Sequence, residues 1–82
     1  MSQRERQELL ALGRAIAEIR REHGMGLEAL GAAAGVDPRR IAALERGRVN
    51  PGYGLLLALA DGLGVRPSVF VARAEALSGD NG

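Results

Sequence analysis

Cysteine, lysine and tryptophan are all absent from these 82 residues, and histidine, tyrosine and phenylalanine occur once each. Without cysteine there is neither a disulfide framework nor a thiolate metal site, which agrees with a reducing compartment. His23 has no second histidine to share a metal with, so no metal site and no cofactor are expected. Its place at the end of a helical pattern suits an imidazole lying near the last carbonyls. Long apolar runs are missing too: the longest, Leu55 to Ala60, falls far short of a membrane span, and the opening MSQRERQE lacks the apolar stretch of a secretory signal. The expectation is a soluble, cytoplasmic protein that does not engage a membrane. No Cys/His or Ser/His/Asp set and no phosphate-cradling loop stands out. Glu5, Glu8, Glu18 and Glu22 read as solvated helix residues near arginines, not as an acid/base pair. Nothing points to an enzyme.

What is present begins with arginine, which supplies all eleven basic residues against ten acidic ones, for a net charge of +1. So small a net charge says little about a polyanionic partner, but its distribution says more. Arg39, Arg40, Arg46 and Arg48 crowd one short stretch that holds only Glu45 in opposition. Exclusive use of arginine suits planar, bidentate contacts to phosphate or guanine, although a GC-rich coding sequence produces the same bias. At this length the chain forms one domain with a small core, and dimerisation would be a natural way to cover more apolar surface.

Apolar periodicity divides the chain into five helices and shows no run of period two long enough for a strand. The first runs from about Gln3 to His23, with Leu9, Leu12, Ile16 and Ile19 as its core stripe and Arg4, Arg6, Glu8 and Glu18 facing water. Residues 1–8 read as a charged N-terminal extension of this helix, residues 9–77 as the single domain, and the polar stretch 78–82 as a frayed tail. Gly24-Met25-Gly26 is a turn. The fourth helix spans about Tyr53 to Leu63, with Leu56, Leu59, Ala60 and Leu63 inward and Gly64 at its end, and Pro67 opens a fifth that reaches about Leu77.

Between them lies the stretch LEALGAAAGVDPRRIAAL, Leu27 to Leu44, in which two short helical patterns meet at Gly35. Leu30, Ala33 and Ala34 share the inward face of the first, and Ile41 and Leu44 that of the second. Gly31 and Ala34 leave room for two backbones to approach, and Gly35 suits the left-handed residue that closes a helix. Val36 plugs the corner, Asp37 is a good N-cap, and Pro38 fits the first helical position. Two helices joined so tightly present the second one outward, in the manner of a helix that enters the major groove.

With these residues in place the chain resembles the Cro/cI phage-repressor class of helix-turn-helix proteins, the XRE family, over about residues 10 to 71. The opening LGRAIAEIRREHGM, Gly31, Ala34-Gly35-Val36, Ile41, the exit Leu44-Glu45-Arg46-Gly47, Asn50-Pro51, and Leu56-Leu59-Ala60-Leu63-Gly64-Val65 with Phe70 carry the likeness. The resemblance implies an all-α, five-helix phage-repressor-like domain with its helix-turn-helix at about 27–46, and double-stranded DNA as partner. It places Pro38, Arg39, Arg40 and Ala43 where base-reading side chains stand; only the two arginines carry donors, which favour guanine. It gives Arg46, Arg48, Asn50 and Tyr53 to phosphate contacts, which for Tyr53 is favoured over the alternative of a surface cap on the loop. Arg20 and Glu45 fall where family members form an ion pair between the first and third helices. Two departures stand out. Leu27 occupies a position where the family often has a phosphate-contacting glutamine, and Gly52-Tyr53-Gly54 replaces the usual Ser/Thr cap of the fourth helix.

The last helix is apolar nearly all round, more than one core face requires. Val69, Phe70, Arg73 and Leu77 are therefore expected in a homodimer interface, which would set two recognition helices about 34–36 Å apart over a pseudo-palindromic operator. The expected function is a homodimeric, sequence-specific transcriptional repressor or controller protein. One alternative is the antitoxin of a toxin–antitoxin pair, with the toxin or another regulator as protein partner. A second is a protein-interaction module that keeps the fold without specific DNA binding, for which Leu27 and the alanine-rich third helix argue.

Overall fold

Ser2 and Glu5 start the first helix by capping each other: the Ser2 Oγ accepts from the Glu5 N–H, and the Ser2 N–H donates to the Glu5 carboxylate, both at 3.1 Å. The Ser-x-x-Glu spacing is that of a capping box, which satisfies two backbone donors reciprocally. The computed structural model describes residues 1–79 and contains five helices: α1 (Gln3–Glu22), α2 (Leu27–Ala34), α3 (Pro38–Glu45), α4 (Tyr53–Leu63) and α5 (Pro67–Ser78). No strand occurs among the described residues. Of the expected tail, Ser78 closes α5, with its hydroxyl donating to the Ala74 carbonyl at 3.0 Å, and the stretch beyond Gly79 lies outside the described residues.

The main core gathers Ile16 and Ile19 of α1, Leu30 of α2, Ile41 and Leu44 of α3, Leu59 of α4 and Phe70 of α5, all essentially inaccessible to water. Each of the five helices thus contributes to one apolar centre, the arrangement that a small domain needs to bury enough area. A smaller cluster joins Ala11 and Ala15 of α1 to Ala74 of α5, with Leu12 and Leu77 packed against it. Alanine on both sides lets α1 and α5 come close along a second face of α1 that the leucine and isoleucine stripe does not mark. The chain bends by 102° between α4 and α5, and no single helix is long and apolar enough to cross a membrane.

Two expected inward positions differ. Ala33 faces water, and the buried edge of α2 is Leu30 and Gly31, flanked by half-buried Leu27 and Ala34. In α4 it is Leu55 that is buried with Leu59, Ala60 and Leu63, while Leu56 is half-buried beside them. A larger correction concerns Phe70. It is 0 % exposed inside the chain's own core, so it offers nothing to a second copy.

Candidate nucleic-acid interface

The short turn that sets α3 against α2 depends on Gly35, whose φ of +71° is left-handed, and the Val36 N–H closes the α2 end by donating to the Gly31 carbonyl at 3.0 Å. Gly31 lets the two helices meet: a β-carbon there would sit 2.6 Å from the Val36 oxygen and 3.0 Å from the Pro38 ring. Asp37 then caps α3, its Oδ1 accepting from the Arg39 N–H at 2.9 Å, with Pro38 in the first turn. At the other end, Gly47 (φ +72°) turns the chain, and the Arg48 and Gly47 N–H groups return to the carbonyls of Ala43 (3.0 Å) and Leu44 (2.9 Å). A side chain at Gly47 would strike Leu10 of α1.

Two contacts with α1 fix the far end of α3. Gly13 presses against the Leu44 and Glu45 carbonyls, leaving no room for a β-carbon. Beside it, Arg20 makes a two-pronged ion pair with Glu45, Nε to Oε2 at 2.7 Å and Nη2 to Oε1 at 2.9 Å, and its Nη1 donates to the Met25 carbonyl at 2.9 Å. Both side chains are about nine-tenths withdrawn from water. Hydrogen bonding to the Glu45 carboxylate outweighs burial and raises the Arg20 pKa above its ordinary value. A buried pair of this kind adds little net stability, but moving α3 away from α1 would strand both charges.

The opposite side of α3 is open. Arg39 and Arg40 are exposed near its start, Pro38 and Ala43 are half-buried, and Arg46 and Arg48 are exposed just past its end. Arg40, Arg46 and Arg48 form no ion pair among the described residues. Arg39 differs. Its side chain is 91 % exposed yet folds back on Asp37, Nη2 to Oδ2 at 2.9 Å and Nε to Oδ1 at 3.3 Å. The guanidinium, helped by the Arg39 N–H, holds the Asp37 carboxyl below its usual range. Sequence reasoning treats Asp37 only as a cap; an aspartate two residues before an arginine at a helix start is the signal for this second role.

The expected phosphate contacts are more scattered. Asn50 lines a small cleft with Ser2, Arg4, Glu5 and Glu8 at the start of α1. Tyr53 is 67 % exposed in the first turn of α4, at the rim of a groove with Leu56, Pro67 and Val71. Gly52 caps that helix without a side-chain bond. Of the residues expected at a dimer interface, Arg73 clasps α5 to α1 through Glu18 (3.0 Å) and Glu22 (2.8 and 3.0 Å), which holds the Glu22 carboxyl below its ordinary range. Leu77 packs on the alanine cluster, and Val69 is exposed. His23 ends α1 with Nδ1 2.9 Å from the Ile19 carbonyl oxygen. Among the described residues no group of three or more His, Asp or Glu side chains is placed to hold a metal ion.

Solved structures of similar fold share this frame. The restriction-modification controller protein C.AhdI from Aeromonas hydrophila is 29 % identical over 76 % of this chain and 94 % of its own, with a TM-score of 0.74. The clp gene regulator ClgR from Corynebacterium glutamicum is 30 % identical over 87 % of this chain and 76 % of its own, with a TM-score of 0.82. The restriction-modification controller protein C.Esp1396I gives 29 % identity over 84 % and 88 %, with a TM-score of 0.76. No curated protein gives a significant sequence match. The helix-turn-helix family profile HTH_3 matches residues 16–70, the span from the core isoleucine of α1 to Phe70, and the chain belongs to that family of XRE-type DNA-binding transcription regulators.

Proposed function

We propose that this chain is a homodimeric repressor or controller protein that reads a pseudo-palindromic DNA site with α3 in the major groove, with no catalytic step and no cofactor. The observation that carries this reading is the asymmetry of α3. One side is locked by Gly13, Gly31 and the Arg20–Glu45 pair, and the other presents Arg39 and Arg40 and leads into Arg46 and Arg48. A rigid helix with arginine forks on its open edge is what direct readout of guanine requires. Arg39 and Arg40 are the base readers, with Pro38 and Ala43 offering apolar contact. Arg46, Arg48, Asn50 and Tyr53 meet phosphates and set register.

The homodimer rests on α5, where exposed Val69, Ala72 and Ala76 recur at i, i+3 and i+7 on one face. The described kinship with controller proteins and a gene regulator supports control of transcription. Double-stranded DNA is the partner, and the basic end of α3 favours this reading over a protein-interaction module.

The test is Arg39→Ala, measured by titration of the wild-type and variant proteins against selected and random duplexes. The reading expects a loss of about tenfold or more on the selected site and little change on random DNA. Equal losses on both would remove Arg39 from base reading.

A further inference from the structure

From the ion pair at the head of α3 we infer that Asp37 is a specificity-determining positioning residue, holding Arg39 by one edge of its guanidinium so that the other edge faces guanine. The inference rests on the base-reading role proposed for Arg39 and adds a second residue to it. A guanidinium carries five N–H donors arranged around a planar fork. Asp37 takes one edge, the Nε–H and the adjacent Nη2 proton, with its two carboxylate oxygens. Nη1 and the outer proton of Nη2 form the end-on edge, and Nη1 has no partner among the described residues. That end-on pair matches O6 and N7 of guanine in the major groove.

Asp37 is itself immobilised, because its Oδ1 also accepts the Arg39 backbone N–H and so belongs to the helix cap. The long arginine side chain is thereby biased toward one orientation at the helix cap before any DNA arrives, and less rotamer freedom is lost on binding. The same carboxylate neutralises the Arg39 charge. Arg39 then contributes little to the counterion release that drives binding to any sequence. Both consequences act in one direction: Asp37 raises discrimination and suppresses non-specific affinity.

Asp37→Ser separates these roles from capping, since serine caps a helix as well as aspartate but cannot reach the guanidinium. Asp37→Asn keeps the cap and the length while removing the charge, and serves if the serine variant proves unstable. Wild type, both variants and Arg39→Ala are put through selection from a random duplex pool, and their affinities for the selected site, its guanine-substituted versions and random duplex are titrated against salt. The expected result for Asp37→Ser is an unchanged melting temperature and a loss of about fivefold or more in guanine preference. Random-duplex affinity should rise, with a salt slope steeper by about one. In an Arg39→Ala background, Asp37→Ser should change guanine preference no further. If Arg39→Ala abolishes the preference while Asp37→Ser leaves it intact, the positioning role is overturned and base reading by Arg39 stands. Equal gains on selected and random DNA would make Asp37 a restraint on Arg39 and overturn it too. If Arg39→Ala leaves the preference unchanged, base reading and positioning fall together.

Discussion

A methyl group at Gly13 would collide with the backbone at the end of α3, whereas one at Gly54, in the first turn of α4, would meet nothing within 4 Å. The same substitution at these two helical glycines should therefore act in opposite directions. Gly13→Ala is expected to cost about 1–3 kcal/mol, because carbonyls cannot swing aside as a flexible side chain can. Gly54→Ala should add about 0.4–1 kcal/mol by restricting the unfolded chain, since Gly54 has no positive φ to preserve. Urea denaturation of the two variants measures both, and a shared sign would contradict the packing described for Gly13. Gly31 is legible from sequence because it lies one turn before the expected joint at Gly35. Gly13 is not, because its partners are carbonyls far along the chain and no local pattern marks them. Arg20 and Glu45, 25 positions apart, are paired in the sequence only through the family resemblance.

Among the elements, α3 begins where Asp37 and Pro38 place it and α5 begins at Pro67, while Gly35 ends α2 in the expected left-handed conformation and Gly64 ends α4 in the same one. Local chemistry decides such boundaries, so a single sequence reveals them. Faces are harder. α1 buries Ala11 and Ala15 against α5 as well as its leucine and isoleucine stripe, and alanine carries too little hydropathy to announce a second buried face. The surplus apolarity of α5 is also divided: Phe70 and Ala74 serve the core, while Val69 and Val71 remain exposed. This division predicts different outcomes for neighbouring substitutions. Phe70→Asp should prevent stable folding, because it buries a charge with no partner. Val69→Asp should leave the fold intact and give monomers with weak operator binding. Sedimentation together with circular dichroism distinguishes them, and a folded Val69→Asp of unchanged mass would remove α5 from the interface.

For the whole molecule, the net charge of +1 conceals a separation of roles. Four acidic residues hold arginines within the fold or at the start of α3: Glu45 on Arg20, Glu18 and Glu22 on Arg73, and Asp37 on Arg39. The arginines without such partners among the described residues include Arg40, Arg46 and Arg48, along and beyond one helix. Composition alone shows a nearly neutral protein; the fold turns it into one with a locally unmatched positive edge. A steep salt dependence of DNA binding follows from that edge in spite of the low net charge. Sequence-specific binding by α3 is tested most directly by selection of bound sequences from a random duplex pool with the purified chain at near-physiological salt. Enrichment of a guanine-containing pseudo-palindrome whose half-sites lie about 34–36 Å apart, one helical turn, is expected. Binding without enrichment, weakening uniformly as salt rises, would contradict that specificity.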